Sequence, residues 1–315
     1  MNNKRVSIII PVYNGSNYLR EAIDSALNQT YTNTEVIVVN DGSDDGGATE
    51  KIALSYGEKI RYYYKPNGGV SSALNFGISK MTGDFFSWLS HDDMYSPKKI
   101  EKQIAAVAQL SCATIAVCNG TLVNANAESV RVFYHKNDIQ WNTVFSGREI
   151  LKKITVNLEI NGCSLLVPRE AFTKAGGFDE SMRYTQDRDM WYRLCFEGYP
   201  WVFVNYNGVL SRVHPQQVTQ TRRDLLFIDS EKMAKKIVAK ILFDGCKEKD
   251  MLLQYTLRCA RLGCRNAVNV CVTFASEHGL LCVGDKVLIF VNSLYGAVRP
   301  FIRKMYYRII RRVKI

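Results

Sequence analysis

The sequence predicts an α/β fold, with a mostly parallel central sheet covered by helices on both faces and a helical basic tail behind it. Three observations predict it. Near-continuous apolar runs alternate with stretches of helical period, the pattern of strands buried on both faces. Each run stops on a polar cluster with turn chemistry. Positive charge gathers late in the chain: residues 251–315 hold 11 Lys/Arg against 2 Asp/Glu, a net +9 of the chain's +11.

The elements follow in order. Val6, Ser7, Ile8, Ile9, Ile10 and Pro11 form a buried strand that Val12-Tyr13-Asn14-Gly15 breaks. Leu19, Ala22, Ile23, Ala26 and Leu27 then recur at helical spacing. Residues 35–39 are a second strand, ending in Asn40-Asp41-Gly42-Ser43-Asp44-Asp45. Residues 60–64 are a third, followed by Asn67-Gly68-Gly69 and a helix from Ala73 through Ile78. The fourth run, residues 85–91, stops at Asp92-Asp93. With the strands parallel, these clusters share one rim, where open α/β sheets bind their ligands. Residues 161–168 read as another strand, then a short helix, then the loop Gly176-Gly177-Phe178-Asp179-Glu180. A helix begins near Gln186-Asp187, and two strand-like segments precede Leu210-Ser211-Arg212-Val213-His214-Pro215.

Asp92-Asp93 is the most informative pair. Adjacent carboxylates repel unless a cation sits between them and a ligand. Mg²⁺ or Mn²⁺ suits that place, since such ions take carboxylate oxygens and fill their open positions with substrate phosphate. The competing reading is a helix cap, because Ser96-Pro97 and a helical stretch follow. An Asp at a strand end, such as Asp41, can hold hydroxyl groups as a fixed acceptor; Asp-Gly is also a turn signal. Asp44 and Asp45 read as turn or solvated surface.

Taken in order, residues 6–14, 38–45, 67–77, 89–93 and 186–194 resemble the successive motifs of the family-2 glycosyltransferases, inverting enzymes of GT-A fold. The likeness runs over about residues 4–215. It implies a nucleotide-sugar donor, most simply a UDP-sugar, bound across the first half of the sheet. It implies a divalent metal bridging the diphosphate to Asp92 and, chiefly, Asp93. By position, Pro11, Tyr13 and Asn14 would line the nucleotide, Asp41 would meet base or ribose, and Asn67 would lie beside it. Arg212 would pair with the diphosphate, and His214 would complete the metal or diphosphate site. Asp187 falls at the position of the catalytic base, which takes the proton of the acceptor hydroxyl. Trp191 and Asp179 would lie on the acceptor side, and core packing is the alternative for Trp191. Three positions depart from the common pattern: Ser90, Asn40 and Gln186 are neutral where family members often carry a carboxylate. Gln186 cannot act as a base, which leaves that role to Asp187.

The implied activity is that of a hexosyl- or N-acetylhexosaminyltransferase extending a glycan or glycolipid in surface-polysaccharide assembly. The alternative of another class is a noncatalytic glycan- or nucleotide-binding homologue, motivated by the three neutral positions. A catalytic domain is expected over residues 1–245, its nucleotide-sugar half at about 1–110 and its acceptor half at about 111–220, with a tail over 246–315. Nine scattered cysteines, without Cys-x-x-Cys spacing, suggest reduced thiols in a cytosolic setting. Lys4-Arg5 and the short apolar run after it do not make a signal peptide. Ile302, Met305, Tyr306, Ile309 and Val313 share one helical face opposite Lys304, Arg308, Arg311 and Arg312. No apolar run reaches the ~18 residues of a spanning helix, so the tail is expected to lie on the inner face of the cytoplasmic membrane. Packing of this tail on the catalytic domain is its competing role. The basic charge comes with no nucleic-acid recognition motif, so no nucleic-acid partner is expected.

Overall fold

A computed structural model of the chain describes residues 4–133, 139–214, 217, 221–243, 249–282 and 284–298. β1 (Val6–Val12) lies at the centre of the first half and is buried at every residue. β2 (Thr34–Asn40) and β4 (Phe85–Trp88) pair with it in parallel, and β3 (Arg61–Tyr64) continues the layer beyond β2. Both faces of β1 are covered, which is why its apolar run has no alternation. Ile8 and Ile10 share a core with Leu19, Ala22, Ile23 and Ala26 of α1 (Leu19–Leu27). Ile9 points to the other face, against α3 (Val70–Lys80), and Gly77 permits the approach: a Cβ there would sit 2.5 Å from Ile9 Cγ2. α2 (Ala48–Leu54) connects β2 to β3.

The second half of the sheet is mixed. β6 (Ile115–Val123) and β10 (Trp201–Arg212) pair in parallel, while β9 (Leu165–Pro168) runs antiparallel to both β4 and β6 and joins the halves. β7 (Ser129–Phe133) returns along β6 after a tight turn, so that pair is necessarily antiparallel. β5 (Met94–Tyr95) and β8 (Val144–Phe145) are short antiparallel partners of β10. α4 (Lys99–Val107), α5 (Gly147–Val156), α6 (Ala171–Ala175) and α7 (Gln186–Phe196) complete this half.

Several expected elements differ in detail. The fourth run pairs as a strand only to Trp88, and Asp92-Asp93 occupies the turn between β4 and β5. Residues 161–164 are a capped turn, with Asn161 Oδ1 accepting from the Cys163 amide at 2.7 Å, and the strand begins at Leu165. The two strand-like segments before His214 are one strand, β10, whose register shifts twice between Val204 and Val209. Such bulges break the side-chain alternation that a sequence reading follows.

By contacts the chain forms two units, residues 1–154 with 158–217, and residues 155–157 with 218–315. The second is helical: α8 (Arg223–Phe243), α9 (Lys249–Leu262), α10 (Arg265–Glu277) and α11 (residues 284–298). Tyr255 of α9 donates to the Ser230 carbonyl of α8 at 2.9 Å. The charge change expected near 245 therefore falls inside this unit. The basic amphipathic face over 301–315 lies outside the described residues.

Candidate active site

The β4–β5 turn is held from four directions. Asp93, 5% exposed, accepts the Arg212 amide at 2.9 Å and faces Ser211 Oγ at 3.4 Å. Asp92 Oδ2 lies 3.1 Å from His214 Nε2 and accepts from Gln217 Nε2 at 3.2 Å. From behind, Cys163 contacts Ser90: its sulfur accepts the Ser90 amide at 3.2 Å and lies 3.4 Å from Ser90 Oγ. On the fourth side, Gly15 passes His91 so closely that a Cβ would sit 2.4 Å from its ring.

The two carboxylates titrate in opposite directions. Burial, then the charge of Asp92, pushes the Asp93 pKa up. Burial also works to raise Asp92, but the nearby His91 and hydrogen bonds from Gln217 and His214 outweigh it and leave Asp92 below the usual carboxylate range. Among the described residues, no three His, Cys, Asp or Glu side chains converge closely enough to cage an ion. The donor chemistry nonetheless fits a hard divalent cation. Asp93 is buried, Asp92 beside it is partly buried and holds its charge, and His214 Nδ1 is buried with no hydrogen-bond partner among the described residues. Ions of this class need one or two carboxylates and complete their shell with water and phosphate.

Arg212 has a different place from the expected one. It is expected against a diphosphate, but its side chain is 1% exposed and every arm meets protein. Nε donates to the Asp92 carbonyl at 3.0 Å, Nη1 to the Ala125 carbonyl, and Nη2 to Glu21 Oε2 at 2.7 Å. The guanidinium also stacks 4.3 Å from the Tyr18 ring centre. Arg212 is thus a brace beneath the acidic turn.

Around the nucleotide-side rim, Asp41 is buried and already engaged. It accepts from Lys65 Nζ at 2.6 Å and from the Gly68 and Gly69 amides at 3.0 and 2.6 Å. Its carboxylate therefore shapes the 67–69 loop, in which Asn67 is exposed. Pro11 is buried in β1. Tyr13 is 44% exposed and reaches Asp44 at 3.3 Å. Asn14, in the left-handed region at φ 49°, exchanges two hydrogen bonds with Asp44, at 2.6 and 2.9 Å. Asp44 thus does more than the turn or solvated surface expected of it. The register of β1 on β2, Val12 beside Asn40, is what brings it to Asn14.

The loop before α7 is clamped to α3. Asn75 pairs with the Phe178 backbone through both its amide atoms, at 2.7 and 2.9 Å. Arg183 donates to the Gly68 carbonyl at 2.6 Å. This contact from the acceptor half to the nucleotide-side loop had no signal in sequence spacing. Asp179 Oδ1 accepts the Ser181 amide at 2.8 Å and shapes the same loop.

Asp187 follows in the first turn of α7. Its Oδ1 accepts the Arg188 amide at 2.7 Å. Both nearby arginines pair elsewhere, Arg188 with Glu159 and Arg193 with Asp189, each at 2.7 Å. Burial, opposed mainly by the charge of Arg188, raises the Asp187 pKa to about 6. A carboxylate with that value is ionised at neutral pH and still basic enough to accept a proton. Trp191 is 2% exposed and packs edge-on to Phe178 and Trp201, which makes it core rather than the floor of an open site.

The sequence model described as Glycosyl transferase family 2 matches residues 7–174. An uncharacterized glycosyltransferase of Rickettsia typhi is 48% identical over 224 residues, covering 69% of this chain and 66% of that protein. A chondroitin synthase of Pasteurella multocida is 35% identical over 195 residues, 61% of this chain and 19% of that one. The chain thus spans less than two thirds of the length of either relative. Among solved structures, Staphylococcus aureus TarS 1–349 in complex with UDP-GlcNAc aligns with a TM-score of 0.60 at 14% identity, over 87% of this chain and 92% of that one. At that identity the likeness is one of fold.

Proposed function

The chain belongs to glycosyl transferase family 2, and from that premise we propose that it moves a sugar from a nucleotide-sugar to a hydroxyl of a growing glycan, with inversion at the anomeric carbon. One observation carries the reading. An acidic turn, Asp92-Asp93, with Asp93 buried, and a carboxylate tuned to accept a proton, Asp187, belong to the same unit, with the 176–183 loop clamped to the loop that Asp41 shapes. A UDP-sugar is the donor of choice, since S. aureus TarS has been solved with UDP-GlcNAc.

Asp187 takes the proton from the acceptor hydroxyl as its oxygen forms a bond to the anomeric carbon. The bond from that carbon to the diphosphate breaks on the opposite face, and the diphosphate leaves with the electron pair. Base assistance of this kind contributes about 10²–10⁴-fold. Asp93 and Asp92, with His214 beside them, would hold a divalent ion. When bound, such an ion neutralises the charge that develops on the diphosphate. Tyr13, Asn14 and the 67–69 loop border the nucleotide. Arg212 keeps the acidic turn in place. The acceptor is a glycan or glycolipid, and the basic C-terminal segment holds the protein on the inner face of the cytoplasmic membrane.

The test is a donor screen that reads nucleoside diphosphate release across UDP-, GDP- and dTDP-sugars with Mn²⁺ or Mg²⁺ and oligosaccharide acceptors. Acceptor-dependent release from one donor is expected. Nucleotide binding without release from any donor would overturn the transfer reading and favour a binding homologue, the role that Ser90, Asn40 and Gln186 suggest.

A further inference from the structure

α11 presents its apolar face outward. Ile289 and Gly296 are buried on one side, and a Cβ at Gly296 would sit 2.1 Å from the Ala260 carbonyl oxygen of α9. The other side carries Val287, Leu288, Phe290, Val291, Leu294 and Tyr295, each 46–64% exposed. At 3.6 residues per turn these side chains fall within an arc of about 160°. Lys286 is exposed at its edge. An apolar stripe of that width on a docked helix marks an interaction surface rather than chance exposure.

The sequence that follows argues for the occupant. Residues 299–315 contain seven Lys/Arg and no Asp/Glu. A cationic segment directly continuous with an apolar stripe is complementary to an anionic lipid surface, which offers phosphates above and hydrocarbon below. The residues of α11 span about 22 Å as a helix, short of the ~30 Å hydrocarbon core. No helix among the described residues is long and apolar enough to cross a membrane. Such a helix lies flat. We infer that α11 inserts its exposed apolar face into the headgroup boundary of an anionic bilayer, with Lys286 at its edge meeting lipid phosphates. The inference deepens the membrane contact proposed above and rests on that contact, not on the transfer reaction.

The experiment uses the full chain and vesicles of phosphatidylglycerol with phosphatidylcholine, in low and high salt. Phe290→Asp combined with Leu294→Asp should leave thermal unfolding unchanged, since both positions are exposed, and weaken vesicle partitioning by about tenfold or more. In a second variant, Val291→Trp, tryptophan emission should shift to the blue on vesicle addition and be quenched by lipids brominated in the acyl chain. Three results overturn the inference. Equal partitioning of the wild type and the double variant leaves the basic segment as the whole attachment, so the membrane reading stands without α11. No partitioning by the wild type removes both. A vesicle-free dimer that the double variant dissociates assigns the face to a second copy of the chain.

Discussion

Replacing Asp187 by Asn removes the proposed proton acceptor while keeping its shape and its hydrogen bond from the Arg188 amide. The same change bears on stability. The folded pKa is about 6 against the ordinary aspartate value of 3.8, so the native state binds this proton more tightly than the unfolded chain does. Stability from that protonation is present below about pH 4 and is lost as pH rises through 6. About two pKa units at 1.36 kcal/mol each give roughly 3 kcal/mol. The neutral Asn does not incur this loss. Asp187→Asn should therefore match the wild type near pH 4 and exceed its unfolding free energy by roughly 2–3 kcal/mol at pH 8, read by urea denaturation. Turnover at pH 8 should fall by at least about 10²-fold. In the wild type, turnover should drop tenfold per unit below pH 6 and level off above it, measured as diphosphate release between pH 4.5 and 8.5. A variant that keeps its turnover moves the base elsewhere, with Asp179 and Glu180 next in line. A variant that is less stable at pH 8 would falsify the burial argument itself.

Asp93→Ala should abolish Mn²⁺- or Mg²⁺-dependent turnover and weaken donor binding by calorimetry while the far-ultraviolet spectrum is kept; full activity, or wild-type activity in excess chelator, refutes the metal role. Glu21→Gln should lower turnover through the Arg212 brace without touching donor, so donor affinity should weaken several-fold; an unchanged enzyme would make the 2.7 Å Glu21–Arg212 pair incidental. Asp41→Asn removes the partner of Lys65 and loosens the 67–69 loop, and the donor KM should rise with kcat little changed. Deleting residues 299–315 should remove the salt-sensitive part of vesicle binding, which fades as the Debye length falls from about 10 Å at 0.1 M salt to about 3 Å at 1 M; undiminished salt sensitivity refutes that assignment.

The first half of the fold was legible because its strands obey one rule: buried on both faces, they read as unbroken apolar runs, and Val6–Val12 and Thr34–Asn40 appear where those runs are. β10 was not legible as one strand, since its two register shifts around Asn207 break the alternation. Within the site, Asp92, Asp93 and Asp187 stood out because they fall, in order, at motif positions of the family the sequence resembles; capping alone would also place an Asp at an element end. The roles of Arg212, Cys163, Arg183 and Asp44 did not. Each depends on which distant atom lies within reach, such as the Gly68 carbonyl for Arg183 and the Asn14 side-chain amide for Asp44. Local pattern carries no such information. Asp41 was legible as a strand-end carboxylate, but nothing local showed that Lys65 and two loop amides already occupy it.

The brace formed by Arg212 also constrains the birth of the protein. Arg212 is 120 residues beyond the Asp92 carbonyl it holds and 191 beyond its partner Glu21. On the ribosome, the strands β1 to β4 and the acidic turn emerge long before the residue that fixes them. A nascent chain ending anywhere before β10 therefore exposes two carboxylates with their main support missing. Contacts of such long sequence separation form late, because the loop-closure entropy must be met first. The acidic turn, though encoded in the first third of the chain, is among the last parts to gain its support.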